Sequence, residues 1–254
     1  MLPPSRMKYL IVADIHYSLK QFDWVASLAG KFDAVFLVGD LLDLVSIVER
    51  DVQATVALKY IRNIAAKTRV VVSSGNHDCK DKLANGELFS SWLQGARGPQ
   101  TSVDGETVTI GETLFSVLPW WDGDSVRADV LQHVERDAAK ERDQWAWIYH
   151  CPPHETPLSW NGKRHCGDPG LVDWIERHKP DLVFSGHVHE APFVKNGAWF
   201  HRIGETFIFN AGRQHGGIPS FLVWNTDDKD VTWISQAGTE RVALENFEGV
   251  EILA

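Results

Sequence analysis

Five short clusters in this 254-residue chain carry side chains of a metal-ligating type: Asp14-x-His16, Gly39-Asp40, Gly75-Asn76-His77-Asp78, His150 and Gly186-His187-x-His189. Asp14, His16, Asp40, Asn76, His150, His187 and His189 are carboxylates, imidazoles and one amide carbonyl. Such mixed oxygen and nitrogen sets suit Mn, Fe, Zn or Ni and lack the thiolates of a structural zinc site. They are too many donors for one ion and suit two, with a carboxylate bridging cations about 3.5–4 Å apart. In Asp14-x-His16 an extended backbone would send both side chains to one side. His187-x-His189 either does the same or, if the chain turns there, divides its imidazoles between adjacent ions. The glycines before Asp40, Asn76 and His187 allow sharp turns. A lone Gly-Asp is usually just a turn; the weight comes from all five clusters in order.

Each cluster follows a short apolar run. Tyr9-Leu10-Ile11-Val12-Ala13 leads to Asp14, Ala34-Val35-Phe36-Leu37-Val38 to Gly39, and Val70-Val71-Val72-Ser73 to Ser74-Gly75. Trp145-Ala146-Trp147-Ile148-Tyr149 leads to His150, and Leu182-Val183-Phe184-Ser185 to Gly186. Continuous apolar runs bounded by turn residues indicate strands covered on both faces. Residues 18–31 and 49–67 have helical periodicity, and 171–178 form a shorter helix with Asp168 and Pro169 as start signals. The alternation indicates βαβ units, and ligands collect at the carboxyl ends of the strands of such folds. Residues 107–118 read as a hairpin around Ile110-Gly111-Glu112, and several short strands follow over 198–235. A mixed sheet, or two sheets packed face to face with helices outside, is expected. No repeat or linker is visible, so the whole chain, 1–254, is read as one α/β domain.

Composition sets limits. The formal net charge is −9. That balance argues against nucleic acid as the main partner, since such binders need a basic footprint. It permits a small phosphorylated substrate, because bound cations supply local positive charge. Cys79, Cys151 and Cys166 form no disulfide pattern, which points to a reducing, cytoplasmic setting. No signal peptide and no membrane span are read from the sequence.

The ordered series of five motifs resembles the signature of calcineurin-like metallophosphoesterases over about residues 14–189. The resemblance implies a four-layer α/β/β/α sandwich and two divalent metal ions, with Mn the first choice in vitro. It places Asp14, His16 and His189 on the first ion, Asn76, His150 and His187 on the second, and Asp40 between them. It makes His77 a catalytic group facing the substrate, as general acid, and gives Asp78 the task of orienting and charging it. The activity implied is hydrolysis of a phosphodiester or phosphomonoester by a hydroxide bridging the metals. No position of this set departs from the family pattern.

Other residues have a functional and a bland reading. Asp43 either orients a neighbour or caps its turn. Arg213, His215 and His154 are candidates for contact with substrate phosphate, with a surface role as the alternative for each. The Pro-, Gly- and His-rich loop 151–170, with Trp160, Lys163, Arg164 and His165, is a candidate substrate wall. Trp120 and Trp121 either stack on a leaving group or pack in the core, and core packing is the commoner fate of tryptophan. Cys79 and Cys151 read as buried bystanders beside the site. Two competing functions are a catalytically silent protein-binding scaffold and a nuclease. The complete motif set argues against the first, and the lack of a basic cluster argues against the second.

Overall fold

The computed structural model describes residues 6–245 and 249–253. Four strands open the fold and run parallel: β1 (Lys8–Val12), β2 (Ala34–Val38), β3 (Arg69–Ser73) and, beyond a ribbon of β4 (Asp81–Lys82) and β5 (Leu88–Phe89), the short β6 (Thr101–Ser102). A second sheet follows, built from β7 (Thr107–Ile110), β8 (Thr113–Val117), β9 (Gln144–Ile148), β10 (Leu182–Ser185), β11 (Phe200–Ile203) and β12 (Thr206–Asn210). The chain then returns to the first sheet through β13 (Phe221–Asn225), β14 (Asp230–Ser235), β15 (Gly238–Ala243) and β16 (Val250–Leu253). The strand orders are β16-β15-β14-β13-β1-β2-β3-β6 and β11-β12-β10-β9-β8-β7.

Three apolar layers explain why the strands read as unbroken hydrophobic runs. Strand side chains alternate between faces. On β1, Tyr9 and Ile11 point between the sheets, where they meet Phe36, Phe115, Phe184 and Trp224. Leu10 and Val12 point outward, against Phe22 and Val25 of α1 (Leu19–Leu28) and Ala57 and Ile61 of α2 (Arg50–Ala65). The outer face of the second sheet, with Trp145, Trp147 and Val183, is covered by Val126, Val130 and Val134 of α3 (Asp124–Ala138) and Leu171 and Ile175 of α4 (Pro169–His178). This is the α/β/β/α sandwich. Both sheets are mixed: the first is antiparallel from β16 to β1 and parallel from β1 to β6, and the second has a parallel centre with an antiparallel strand at each edge.

The helices at 19–28, 50–65 and 169–178 and the hairpin at 107–117 fall where periodicity places them. Asp168 caps α4 by accepting from Gly170 N at 2.8 Å. Helix α3 carries no clear signal in the sequence, because its apolar stripe is only three valines four residues apart, diluted by charge. Strands β15 and β16 lie beyond the region read as strand-rich: β15 is mostly polar and half-exposed, and β16 is only four residues long. The loop 151–170 is ordered by its own hydrogen bonds: Cys166 N–H donates to Ser159 O at 2.7 Å, and Asp168 N–H to Pro152 O at 2.8 Å. No helix among the described residues is long and apolar enough to cross a membrane.

One buried carboxylate ties α3 to the second sheet. Asp137 Oδ2 accepts from Thr107 Oγ1 (2.8 Å) and Ser116 Oγ (2.5 Å), and Oδ1 accepts from Lys140 Nζ (2.6 Å). His133 Nε2 lies 3.1 Å from Oδ2. Burial works against the charge of Asp137, yet His133, Lys140, Ser116 and Thr107 outweigh it and hold the carboxyl below its ordinary 3.8. A depressed carboxyl contributes stability above its unfolded pKa and loses it as pH falls towards the folded value. Asp137→Asn is therefore expected to lose about 2 kcal/mol at pH 7, roughly 4–8 °C in Tm for a chain of this size. The gap between wild type and variant should narrow progressively as pH falls below about 4. Thermal unfolding across a pH series checks this, and a gap that persists at acid pH would count against it.

Candidate metal centre

The five clusters converge because they leave parallel strands of both sheets at the same end. Asp14 and His16 follow β1, Asp40 follows β2, Asn76 and His77 follow β3, His150 follows β9, and His187 and His189 follow β10. The β1–β2 ladder continues into the loops: Asp14 N–H donates to Gly39 O (3.1 Å) and His16 N–H to Asp40 O (2.9 Å). His150 Nδ1 lies 2.7 Å from Val38 O, a direct bond between the ends of β9 and β2 across the two sheets.

The local backbone differs from expectation at Asp14-x-His16. Asp14 (φ 56°), His16 (φ 46°) and Tyr17 (φ 56°) are left-handed rather than extended, as are Asp40 (φ 53°) and His187 (φ 68°). Non-glycine residues in this region are strained by roughly 1–3 kcal/mol each and persist only where surrounding bonds over-determine them. The glycines also serve differently than turn chemistry alone suggests. Gly39 has φ 76°, but a Cβ on Gly75 would sit 2.2 Å from Asp40 Oδ1 and one on Gly186 2.5 Å from Asp14 Oδ2. At these two positions the requirement is close approach to a carboxylate.

Two groups of donors form around shared Asp40. One comprises Asp14, His16, Asp40 and His189; the other comprises Asp40, His150 and His187. His187 and His189 therefore divide between the groups. Asn76 joins the second group, with Oδ1 2.9 Å from His187 Nδ1. Asp40 Oδ2 faces His150 Nε2 (3.2 Å), His16 Nε2 (3.6 Å) and His77 Nε2 (3.9 Å). Asp14 Oδ1 faces His189 Nε2 (3.2 Å), His16 Nε2 (3.7 Å) and His150 Nε2 (3.7 Å).

The donor set fits divalent cations. A carbonyl only accepts, so His150 Nδ1 carries the proton and turns Nε2 towards the carboxylates, where it has no hydrogen-bond partner. His16 Nε2 and His189 Nε2 face each other at 2.9 Å, two ring nitrogens converging beside Asp14. The electrostatics agree, since without cations the buried carboxylates draw positive charge onto neighbouring imidazoles instead. Burial raises the Asp14 carboxyl, but His150, His16 and His189 overcome it and hold it well below the usual range. Burial raises Asp40 too, while His150 and His77 bring it below its ordinary value. Burial works to discharge His150, yet Asp40 and Asp14 push it up to about 9. Burial, with the charge on His150, takes His187 down to about 4.

His77 stands at the rim, half-buried. Its Nδ1 accepts from Leu44 N–H at 3.1 Å, so its proton belongs on Nε2, the nitrogen turned to Asp40. Burial, aided by His16 and His150, lowers its pKa against the pull of Asp40 and Asp43. Asp78 does not touch the His77 ring. Its oxygens accept from Leu41 N (3.0 Å), Leu42 N (3.0 Å) and Gly75 N (2.9 Å), stitching the loop after β2 to the loop after β3. Burial, then Asp40, pushes Asp78 up to about 7. Asp43 is the carboxylate beside His77, with Oδ1 3.8 Å from Nδ1, and it also caps its own turn by accepting from Val45 N. Asp78 is therefore a stitch between loops, and Asp43 is better placed to act on His77.

Among the other candidates, Trp120 is half-buried with its ring 5.1 Å from that of His187, while Trp121 stacks on Tyr149 at 4.2 Å. Arg213 N–H donates to His189 O at 3.1 Å, which brings this residue to the site's edge. His215 is exposed. The ring of His154 lies 5.8 Å from that of His165. His165, fixed through Nδ1 to Ser159 Oγ at 2.8 Å, lines an open cleft of about 560 Å³ with Asn161, Arg164, His187 and His189. Burial raises the thiols of Cys79 and Cys151, so both are inert. Sequence reasoning missed Gln53, which is fully buried in α2 beneath the Asp43 turn; a lone glutamine in a helix gives no signal.

A search of curated protein sequences returns no significant match. Among solved structures the fold resembles TT1561 of Thermus thermophilus (TM-score 0.56, 11% identity, covering 95% of this chain and 100% of that one). It also resembles the purple acid phosphatase PPD1 of yellow lupin, Lupinus luteus (TM-score 0.59, 13% identity, covering 98% of this chain and 54% of that one). At such identities these likenesses speak to the fold alone. Residues 7–191 match the calcineurin-like phosphoesterase family, and the chain belongs to that family.

Proposed function

We propose that the chain hydrolyses a small phosphomonoester or phosphodiester with two divalent cations held by Asp14, His16, Asp40 and His189 on one side and Asp40, Asn76, His150 and His187 on the other. The observation that carries this reading is the sharing of one carboxylate oxygen, Asp40 Oδ2, by imidazoles from both sheets within 3.2–3.9 Å, with His77 among them. When bound, the cations supply acidified water and neutralise the phosphoryl oxygens. The chain's own groups do the rest. Asp40 is fixed by accepting the backbone N–H of His77 on Oδ1 at 2.8 Å, which leaves Oδ2 to both groups. Neutral His77 offers Nε2–H to a phosphoryl or leaving oxygen. Trp120 and the cleft beneath His165 flank the centre. A small substrate suits the acidic balance of the chain, and the cysteine usage supports a cytoplasmic setting.

Metal-stripped protein should be inactive on p-nitrophenyl phosphate and bis(p-nitrophenyl) phosphate, and Mn²⁺ should restore hydrolysis of at least one. The ratio of the two rates separates monoesterase from diesterase. Failure with several divalent metals, once binding of two ions is confirmed, would sink the proposal. Asp40→Asn should lose bound metal and activity together; full metal content by elemental analysis would refute its shared role. His77→Ala should retain both metals and slow turnover by about 10²–10⁴-fold, most with poor leaving groups. A loss independent of the leaving group would remove His77 as the hydrogen-bond donor to the leaving oxygen.

A further inference from the structure

Gln53 is a fully buried polar residue of α2, with every side-chain hydrogen-bonding group engaged by one short loop. Its Oε1 accepts from Asp43 N (2.8 Å), and its Nε2 donates to Asp43 O (3.1 Å) and Val48 O (2.7 Å). The two ends of segment 43–48 are thus clasped by one amide. The tip of the segment has no packing of its own: Val45 is 86% and Ile47 102% exposed. Within it, Leu44 N–H is the donor that meets His77 Nδ1. The Asp43 carboxylate, 3.8 Å from the same nitrogen, is carried by the same turn.

A loop whose apolar side chains face water gains little from burial, so its place depends on its hydrogen bonds. Leu41 and Leu42, just before it, are held by Asp78. Beyond them the clasp is Gln53. We infer that Gln53 is a positioning residue: by closing segment 43–48 it keeps Leu44 N–H on His77 Nδ1, which fixes the ring and reserves the proton for Nε2. A partner on one imidazole nitrogen decides the tautomer at the other. Without the clasp, Nδ1 competes for the proton, and the ring no longer presents one Nε2–H towards Asp40 and the substrate. This rests on the proposed role of His77 in phosphoester hydrolysis, but the geometry of the clasp does not.

The test uses the full chain, loaded with Zn²⁺ and labelled with ¹⁵N-histidine. Gln53→Met keeps the length of the side chain and removes all three bonds. Gln53→Glu keeps only the acceptor for Asp43 N–H. In two-bond ¹H–¹⁵N spectra, wild-type His77 should be the single Nε2–H tautomer, and Gln53→Met should show a mixture. Turnover of phenyl phosphate by Gln53→Met should fall about 10-fold, that of p-nitrophenyl phosphate less than about 3-fold, with KM and zinc content unchanged. Gln53→Glu should fall between, and it decides by the same readouts if the methionine variant does not fold. An unchanged His77 spectrum, or an equal loss on both esters, overturns the proposal. Should wild type hydrolyse neither these monoesters nor bis(p-nitrophenyl) phosphate, the phosphoesterase reading fails, and the spectrum alone still decides whether Gln53 sets the tautomer.

Discussion

The constraint on which the arrangement depends is the burial of two carboxylates, Asp14 and Asp40, in one small volume. Both are almost wholly removed from solvent. Two buried like charges are untenable without compensation. The compensation comes from elements of both sheets: His16 after β1, His150 after β9, His189 after β10. Only a sandwich that aligns the carboxyl ends of parallel strands in both sheets can deliver these groups to one point. The aromatic layer between the sheets, with Tyr9, Phe36, Phe115, Phe184 and Trp224, fixes their separation, and the His150–Val38 bond fixes their offset.

The local cost of that convergence is visible in the backbone. Asp14, His16, Asp40 and His187 all take left-handed conformations that side chains resist. Each is held by a ladder bond or by another cluster. His187 N–H meets both oxygens of Asp14 at 3.1 Å, and the Asp78 stitch holds the loop behind Asp40. Gly75 and Gly186 leave room for the carboxylates of Asp40 and Asp14. Strain, stitching and space are three parts of one solution to packing charged groups at strand ends.

This explains what the sequence discloses. Strands covered on both faces must be apolar throughout, so the central strands and the clusters after them are legible. Helices α1, α2 and α4 are legible from a broad stripe or a cap, whereas α3, whose buried valines fall four residues apart among charged ones, is not. The ligating groups are legible because their types are unusual at strand ends. Their backbone conformation is not: a two-residue spacing suggests an extended chain at Asp14-x-His16, and only the three-dimensional ladder to Gly39 and Asp40 imposes the left-handed turn. Proximity in sequence also misleads. Asp78 adjoins His77 in the chain but turns to backbone N–H groups, whereas Asp43 and Leu44, over thirty residues away, reach the ring. Trp120 gives no sign in the sequence of which face it will take.

The backbone partners of His150 and His77 separate roles that residue type alone cannot. His150 and His77 are the same residue, close to the same carboxylate oxygen. His150 Nδ1 meets a carbonyl, so its proton is held there and Nε2 is available as a donor to a cation. His77 Nδ1 meets an amide N–H, so its proton is sent to Nε2, which offers a hydrogen bond instead of a lone pair. A carbonyl makes the one suited to bind metal; an amide makes the other suited to meet substrate. The carbonyl belongs to a central strand buried in the core, and it cannot move without disturbing the sheet. The amide belongs to an exposed turn held by side chains. The rigid element therefore serves the group that must stay, and the adjustable one serves the group that must meet a substrate.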